Sequence, residues 1–169
     1  MIKCLIEKSD DMDKIKEIIP YIIILIAVIL IRSFIVTPVR VNGPSMDKTL
    51  KDKEIMILNK LADIKRGKIV VVDIGSEKVI KRVIGLPGDS IYCTDGKLYV
   101  NDKLYEEDYT STATLDFTKE YLKDDEYFVM GDNRAVSMDS RTFGPVKKEQ
   151  ILGVSDFVLF PFNRFGKVK

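Results

Sequence analysis

One long apolar segment stands near the start of the chain and contrasts with everything that follows it. Residues 18–31 carry no charge, and Pro20 is the only interruption near their start. At about 1.5 Å per residue, an α-helix over this run is roughly 21 Å long. Continued to Val36, the helix reaches roughly 28 Å, close to the ~30 Å of a bilayer core, if Arg32 extends its guanidinium to the far interface. The pattern predicts a single transmembrane helix over residues 18–36.

The pattern leaves two other interpretations of this segment open. A cleavable secretory signal has an apolar run of this length, but no small-x-small cleavage site follows in residues 34–43. A buried helix in a globular core is the second, although residues 21–31 are apolar around the whole helix circumference and so small a domain could hardly enclose them. An uncleaved membrane anchor is the favoured interpretation.

Beyond this segment the chain consists of short apolar runs separated by polar turns. Such runs are typical of β-strands, and the turn signals Asp95-Gly96 and Asn101-Asp102 between them indicate hairpins. The short connections leave no room for crossover helices, so we expect largely antiparallel sheets. The predicted strands are residues 36–41, 55–58, 69–74, 79–86, 90–92, 98–100, 127–130 and 151–160.

The polar stretch from Glu106 to Asp125 lacks clear periodicity and does not predict an element of its own. We expect it to belong to a small excursion from the core, around residues 93–126. The sequence therefore predicts a mainly β fold: a single N-terminal transmembrane helix followed by an antiparallel β-sheet domain over residues 37–169.

Composition narrows the possible chemistry. The 169-residue chain contains no histidine, and its 27 basic and 26 acidic side chains leave a net charge of +1. The absence of histidine excludes Ser-His-Asp and Cys-His mechanisms and the common histidine-ligated metal sites. The balanced charge disfavours nucleic acid as a partner. We expect no metal and no cofactor, and any catalytic serine here needs a base other than histidine.

The chain has two cysteines, Cys4 and Cys93. They are too few for a disulfide framework, and the predicted membrane helix separates them. We expect both to be free thiols.

Ser45 is the first candidate nucleophile, because it follows Gly43-Pro44 in a turn directly after the first predicted strand. Gly, Pro and Ser are also common in turns without any catalytic role, so the turn alone does not show that Ser45 is a nucleophile. Ser45 and Lys48 form a literal S-x-x-K motif, as in penicillin-binding proteins and class A β-lactamases. The S-D-N and K-T-G motifs of those enzymes are missing, so Lys48 is interpreted as a solvated surface lysine.

Lys81 is the stronger candidate base, because it lies inside an apolar strand. Alternation places it on one face with Val79 and Val83. On the wet face of an edge strand it would have no special role. On an apolar face, desolvation would favour the neutral amine that a lysine base requires.

A polar loop over residues 131–144 lies between two apolar strands. Loops on rigid sheets often carry function, but a plain turn with a solvated Asp/Arg pair fits the same residues.

These segments, in this order, resemble the motifs of the bacterial type I signal peptidases, the serine-lysine dyad leader peptidases. Residues 43–46 resemble the nucleophile box of that family, residues 81–89 its general-base box, and residues 131–141 its third box. With the apolar anchor and Arg66-Gly67, the resemblance covers most of the chain from about residue 18 onward.

The resemblance implies a role for each matching residue. Ser45 would be the nucleophile, Lys81 the general base, and Ser137 the hydroxyl that orients the Lys81 amine. Asp139 and Arg141 would form a structural pair that holds the third loop beside them. The resemblance also places Asp132 and Asn133 at the start of that loop, which they would shape.

Some positions depart from the family pattern. Lys48 stands where proline is usual, Lys68 where an acid is usual, and Ala135-Val136 where polar residues are common. Gly43 has no hydroxyl, so the side-chain oxyanion donor that some members carry there is missing. The oxyanion hole would then rely on backbone amides, above all that of Ser45, or on ordered water.

The implied function is a membrane-bound serine endopeptidase that removes signal peptides from exported preproteins. Its partners would be secretory preproteins and the lipid bilayer. Residues 1–17 would be cytoplasmic and residues 37–169 extracytoplasmic, a sidedness that the lysines and arginines flanking the anchor leave open.

Two rival functions remain for comparison. A self-cleaving serine-lysine protease of the SOS-repressor type fits poorly, because no Ala-Gly or Cys-Gly cleavage site precedes Ser45 and an apolar anchor occupies the N-terminus. A membrane-tethered β domain that binds partners without catalysis would not need Ser45, Lys81 and Ser137 intact.

The C-terminal residues mix aromatic and basic side chains. Packing of the rings in the core is the favoured interpretation, and contact with the membrane interface is the alternative. The residues concerned are Phe157, Phe160, Phe162, Phe165, Arg164, Lys167 and Lys169.

Overall fold

The computed structural model describes residues 2–110 and 112–168, with side chains from residue 16 onward. Contacts divide the chain into two units, residues 1–36 and residues 37–169. Cys93 is a buried free thiol among the described side chains. The expectation for the Cys4 thiol falls outside them.

The first unit is one helix, α1 (Ile2–Phe34), which begins well before the predicted segment and includes Pro20. Its stretch Lys16–Phe34 has a mean hydropathy of 2.3 and is long and apolar enough to cross a bilayer. Side chains from Lys16 to Phe34 are exposed, so the alternative of a buried core helix is wrong. The helix is longer than the apolar run because backbone hydrogen bonds propagate cheaply through the polar residues before it.

The second unit is mainly β, as predicted. All eight predicted strands are present, with ends within two residues of the prediction. In full, the strands are β1 (Val36–Arg40), β2 (Ile55–Asn59), β3 (Ile69–Asp73), β4 (Lys78–Gly85), β5 (Ser90–Thr94), β6 (Lys97–Val100), β7 (Lys103–Leu104), β8 (Phe117–Tyr121), β9 (Glu126–Met130), β10 (Val146–Lys147), β11 (Ile151–Phe160) and β12 (Gly166–Lys167), with a short helix α2 (Ser140–Phe143) and 3₁₀ turns Lys148–Gln150 and Phe162–Arg164.

Within the described residues, the strands form one sheet of eight and one sheet of four. The large sheet runs in the order β1-β2-β11-β3-β4-β9-β10, and β12 pairs with β11. Its β2–β11, β11–β3, β3–β4 and β4–β9 pairings are antiparallel, as expected. Strand β4 therefore stands between β3 and β9 in the strand order, and its register sets Lys81 opposite Val70 of β3.

The small sheet has the order β7-β6-β5-β8. Both predicted hairpin turns are confirmed: Asp95 and Gly96 have φ of 52° and 71°, and Asn101 and Asp102 have φ of 53° and 62°. Two successive positive φ values are the signature of the type I′ turn, whose twist suits a two-residue hairpin. The polar stretch without periodicity contains β8, which pairs antiparallel with β5.

An apolar cluster lies beneath the turn that carries Ser45. Met46 and Leu50 point inward from this turn and are 1% and 0% exposed. They pack with Met56, Ile69 and Val158 from the surrounding strands and with Val41, the residue after β1. Burial of two large side chains so close to Ser45 anchors the turn to the sheet, at about 1.5 to 3 kcal/mol for each side chain.

The prediction that the C-terminal aromatic residues pack in the core is wrong for three of the four rings. Phe160, Phe162 and Phe165 are 47%, 79% and 58% exposed. They follow the last buried position of β11, Val158, and lie on the 3₁₀ turn and its flanks. Phe165 packs edge-on against Phe157, and Phe160 against Phe162, so the rings contact one another at the surface.

Candidate active site

Ser45 lies in a tight turn between β1 and β2, here called the Ser45 turn (residues 42–53). Gly43 has a φ of 82°, a left-handed conformation that glycine adopts without strain. Its amide donates to Asp52 Oδ1 at 2.9 Å, and the Asp47 amide donates to the Pro44 carbonyl at 3.0 Å. These bonds fold the chain back around Ser45 and leave its side chain partly exposed.

Lys81 meets Ser45 from β4. Its Nζ lies 2.9 Å from Ser45 Oγ, although the two residues are 36 positions apart in sequence. Lys81 is 3% exposed, so the interpretation of a lysine on the wet face of a strand is wrong. The exposed Lys48 is the other lysine that the sequence offered.

The surroundings of Lys81 explain the state of its amine. Val79 and Val83 pack in the same apolar cluster as Val70, the register partner of Lys81. Burial lowers the pKa of Lys81 because it removes water from the ammonium form. The nearby carboxylates, above all Asp139, act in the opposite direction but do not cancel the effect of burial. The neutral amine is therefore more accessible to Lys81 than to an exposed lysine.

The third loop (residues 131–141) packs directly against the Ser45 turn. The Asn133 amide donates to the Ser45 carbonyl at 3.0 Å. Gly131 has no room for a side chain, because a Cβ atom there would clash with Ser137 and with the Ser45 carbonyl. The Ser137 hydroxyl is buried beside the Asp139 carboxylate, without a hydrogen bond of good geometry in the described part of the chain. It is a polar group near the dyad that can still accept or donate one.

Asp139 ties the third loop together. Its carboxylate accepts from the Gly131 amide at 2.9 Å and from Arg141 Nε at 2.8 Å. Arg141 also donates to the Arg134 carbonyl at 2.9 Å. Burial by itself would raise the pKa of Asp139, but the hydrogen bonds from Arg141 and the Gly131 amide outweigh it and hold the pKa below its usual value. Asp139 is therefore a buried carboxylate that stays ionised.

Asp132 is buried behind the site and pairs with Arg82, the residue after Lys81. Arg82 donates to the Asp132 carboxylate twice, at 2.9 and 2.6 Å, and the Thr49 hydroxyl donates to the same carboxylate. Arg82 also lies over the Tyr109 ring, 4.0 Å from its centroid. This network joins β4, the Ser45 turn and the third loop.

Sequence reasoning missed several of these residues. Arg82 and Thr49 lie beside recognised positions, but their partners are distant in sequence. Arg134 is 3% exposed and forms an ion pair with Glu107, which lies in the stretch to which no structure had been assigned. An acid facing a buried arginine across 27 residues leaves no local pattern, so periodicity could not reveal it.

A cavity of about 190 Å³ opens at the dyad. Its walls come from β1 and the residue after it, from the Ser45 turn, from β4 and from Met138 of the third loop. In the part of the chain that the structure describes, residues 78–81 pair with β3 on one side, whereas the pairing of β4 with β9 begins at Arg82. The main chain before Arg82 therefore has an unpaired edge beside the cavity.

Comparison with known proteins identifies the family. Residues 15–160 match the family model described as signal peptidase, peptidase S26. A signal peptidase I from Bacillus amyloliquefaciens is 42% identical, and the match covers 96% of this chain and 95% of that protein. Signal peptidase I S from Bacillus subtilis strain 168 is 38% identical, over 95% of this chain and 98% of that protein.

A solved structure agrees with the sequence comparison. The crystal structure of a signal peptidase I from Enterococcus faecalis V583 is 32% identical to this chain, with a TM-score of 0.50. The match covers 55% of this chain and 97% of that one. A mainly β domain after an apolar helix, relatives of this similarity over nearly the whole chain and the family match lead to one conclusion: the chain belongs to the signal peptidase I enzymes of serine peptidase family S26.

Proposed function

We propose that this chain removes signal peptides from exported preproteins with Ser45 as nucleophile and Lys81 as general base. The distance of 2.9 Å between Lys81 Nζ and Ser45 Oγ carries the proposal, because it lies within the range for direct proton transfer. Burial of Lys81 supports it further, since a base must be neutral before it can accept a proton.

The chemistry follows from these two groups. The neutral Lys81 amine accepts the proton of the Ser45 hydroxyl as Oγ attacks the carbonyl carbon of the scissile bond. The resulting Lys81 ammonium then protonates the leaving amine, and the bond to the mature protein breaks. Water, deprotonated by Lys81, hydrolyses the acyl-enzyme and restores the Ser45 hydroxyl.

The Ser45 amide is the proposed oxyanion donor, because the tetrahedral oxygen forms on the carbon that Oγ attacks and Gly43 offers no hydroxyl. Ser137 is the proposed partner that orients the Lys81 amine, and its buried hydroxyl, which has no hydrogen bond of good geometry in the described residues, supports this role. Asp139 with Arg141, together with Asp132 and Asn133, would hold the third loop in place around these groups.

The substrate is proposed to bind as an extended strand beside the cavity. The unpaired edge of residues 78–81 can form main-chain hydrogen bonds with such a strand, as in other cases of strand addition. The cavity of about 190 Å³ is smaller than the roughly 300–1,000 Å³ of typical ligand sites. The family resemblance implies cleavage after small side chains at the positions one and three before the scissile bond, and the small cavity agrees with shallow substrate pockets.

Selectivity can be tested with one preprotein and its variants. Replacement of the residues one and three before the cut by leucine is expected to abolish cleavage, because the family resemblance implies pockets that fit only small side chains at these positions. A leucine variant cut as fast as the parent would refute this part of the proposal.

The membrane arrangement is a further part of the proposal. Residues 18–36 would anchor the chain, with residues 1–17 in the cytoplasm and residues 37–169 outside. The exposed apolar stretch Lys16–Phe34 supports the anchor. Protease added to intact spheroplasts should digest the large domain, whereas protection of that domain until lysis would contradict the sidedness.

The direct test is cleavage of a secretory preprotein by the full-length protein in detergent. Wild-type protein should release the mature form, and Ser45→Ala and Lys81→Ala should not. Equal cleavage by Ser45→Ala would show that another residue is the nucleophile. Binding without cleavage by the wild type would favour a membrane-tethered binding domain instead.

A further inference from the structure

The Ser45 turn is closed at its base by the residues on either side of it. The Val41 amide donates to the Glu54 carbonyl at 2.8 Å, and the Lys53 amide donates to the Val41 carbonyl at 2.9 Å. This clasp fixes the two ends of the turn. The position of Ser45 within the turn still depends on what supports residues 47–51.

Glu54 supplies one of these supports. It is 2% exposed, although glutamate is rarely buried without a charged partner. Its Oε2 accepts from the Lys51 amide at 3.1 Å, at the end of the Ser45 turn. Its Oε1 lies 2.6 Å from Arg164 Nε, an ion pair whose geometry falls short of a hydrogen bond. The proposed chemistry uses neither group.

Arg164 reaches the turn from the far end of the chain. It belongs to the 3₁₀ turn Phe162–Arg164, and its side chain also donates to the Thr49 carbonyl at 2.7 Å. One guanidinium therefore bridges Glu54 and Thr49, the residue whose hydroxyl donates to Asp132. A side chain 115 positions from Thr49 holds the outer wall of the Ser45 turn.

We propose that Glu54 and Arg164 are positioning residues that hold the Ser45 turn at the distance from Lys81 that proton transfer requires. The inference rests on the proposed Ser45–Lys81 dyad. Without the ion pair, the segment from Thr49 to Lys51 loses its outer support, and Ser45 moves relative to Lys81. A displacement of about 1 Å at reacting atoms costs on the order of 100-fold in rate, so a smaller shift already lowers turnover measurably.

Kinetics of full-length Glu54→Gln and Arg164→Gln in detergent test the proposal. We expect kcat to fall about tenfold or more while KM stays within about twofold, because the cleft strands that would bind substrate are unchanged. We also expect the acidic limb of kcat/KM to move to higher pH. A loosened turn admits water to Lys81, and the pKa that burial lowers then rises. Arg164→Lys should give an intermediate kcat, since lysine keeps the charge but lacks the planar guanidinium that contacts Glu54 and Thr49 at once.

Two further variants separate positioning from stability. Asp156→Asn removes the ion pair with Lys68 elsewhere on β11 and should leave kcat and the pH limb at wild-type values. The double variant Glu54→Gln/Arg164→Gln leaves no unpaired buried charge, so it should regain thermal stability relative to Arg164→Gln, which leaves Glu54 buried and unpaired, but it should not regain kcat. Recovery of kcat in the double variant, or an equal loss in Asp156→Asn, would reduce the role of the pair to stability and overturn the proposal.

The experiments distinguish the proposed Ser45–Lys81 dyad from the positioning role of Glu54 and Arg164. Glu54→Gln and Arg164→Gln could keep the wild-type kcat and the wild-type acidic limb of kcat/KM while Ser45→Ala and Lys81→Ala are inactive. That result would overturn the positioning role alone. Activity in Ser45→Ala would overturn the proposed dyad and with it this inference.

Discussion

A Cβ atom added to Gly131 would lie 2.6 Å from the Ser45 carbonyl oxygen. The same atom would lie 2.5 Å from Ser137 Cβ. The hydrogen at this position is what allows the third loop to touch the Ser45 turn. Because a backbone oxygen cannot rotate away, we predict that Gly131→Ala displaces Ser45 and lowers kcat by about 100-fold, with a smaller effect on KM.

Steady-state kinetics on a preprotein substrate check this prediction. Ala135→Ser, at an exposed position of the same loop, is the control and should keep wild-type kcat. Near-wild-type turnover in a folded Gly131→Ala protein would show that the two loops tolerate separation.

The second prediction concerns the pH dependence of activity. A free lysine with a pKa of about 10.4 costs roughly 4.6 kcal/mol to hold neutral at pH 7. Burial lowers the pKa of Lys81, so the free energy needed to deprotonate it at pH 7 is smaller than for a free lysine. The protonated form is inactive as a base, so kcat/KM should rise with pH through the lowered pKa and level off above it.

Substitutions at the two lysines sharpen the pH test. Lys81→Arg should abolish turnover although it keeps the charge, because a guanidinium stays protonated. Lys48→Ala should keep most of the activity, since Lys48 is exposed. Measurement of kcat/KM against pH for the wild type, Lys81→Arg and Lys48→Ala shows which lysine is the base. Loss of activity in a well-folded Lys48→Ala would move the base to that residue.

The third prediction concerns acid stability. The pKa of Asp139 is lower in the folded chain than its usual value, so ionised Asp139 stabilises the fold above the unfolded-state pKa of about 3.9. That contribution is lost as pH falls from there through the folded-state pKa. Asp139→Asn leaves Arg141 without its buried partner and should cost about 3 to 5 kcal/mol at neutral pH.

Urea unfolding across the acidic range measures this effect. The difference in free energy of unfolding between wild type and Asp139→Asn should shrink as pH falls below about 4. Asp102→Asn, which breaks a more exposed pair with Lys119, should change stability much less than Asp139→Asn. A constant difference across the acidic range would show that folding does not lower the pKa of Asp139.

The fourth prediction is that the exposed C-terminal rings contact lipid. Aromatic and basic side chains together suit the membrane interface, and Arg164 and Lys167 lie beside these rings. The chain contains no tryptophan, so Phe162→Trp introduces a single fluorescent probe. In vesicles with brominated lipids, its emission should be quenched.

A matched control is available on the small sheet side of the domain. Leu115 and Phe162 are both 79% exposed, so Leu115→Trp reports general access of lipid to the surface. Its emission should be quenched much less. Equal quenching of both probes would remove the proposed contact.

The strands and hairpins could be predicted because their determinants are local. Asp95-Gly96 and Asn101-Asp102 adopt positive φ in the folded chain as their residue types favour, and the apolar runs between turns are the strands. Strand β8 was not predicted, because Phe117-Thr-Lys-Glu-Tyr121 is short and its three central residues are polar. Its place is fixed by pairing with β5 and not by its own composition.

In the candidate site too, residues with local determinants could be predicted and residues with distant partners could not. Ser45, Lys81 and the third loop were found from sequence because each belongs to a short motif. Glu54, Glu107 and Arg164 were not, because their contacts join segments far apart in the chain. Lys81 shows the limit most clearly: alternation suggested its face, but the burial of its amine depends on contacts with segments distant in sequence, above all Ser45.

The buried arginine–carboxylate pairs around the third loop constrain how this enzyme can evolve. Arg82–Asp132, Arg134–Glu107 and Arg141–Asp139 each join a guanidinium to a carboxylate that is at most 9% exposed. Loss of one partner leaves the other charge buried and unpaired, which lowers the free energy of unfolding by about 3 to 5 kcal/mol. This is a large part of the roughly 5 to 15 kcal/mol that keeps a typical domain folded. Single replacements are therefore selected against, and neutral drift requires both members to change together. Descendants of this chain should vary freely at the exposed tip, Ala135 and Val136, while the paired positions covary or stay fixed.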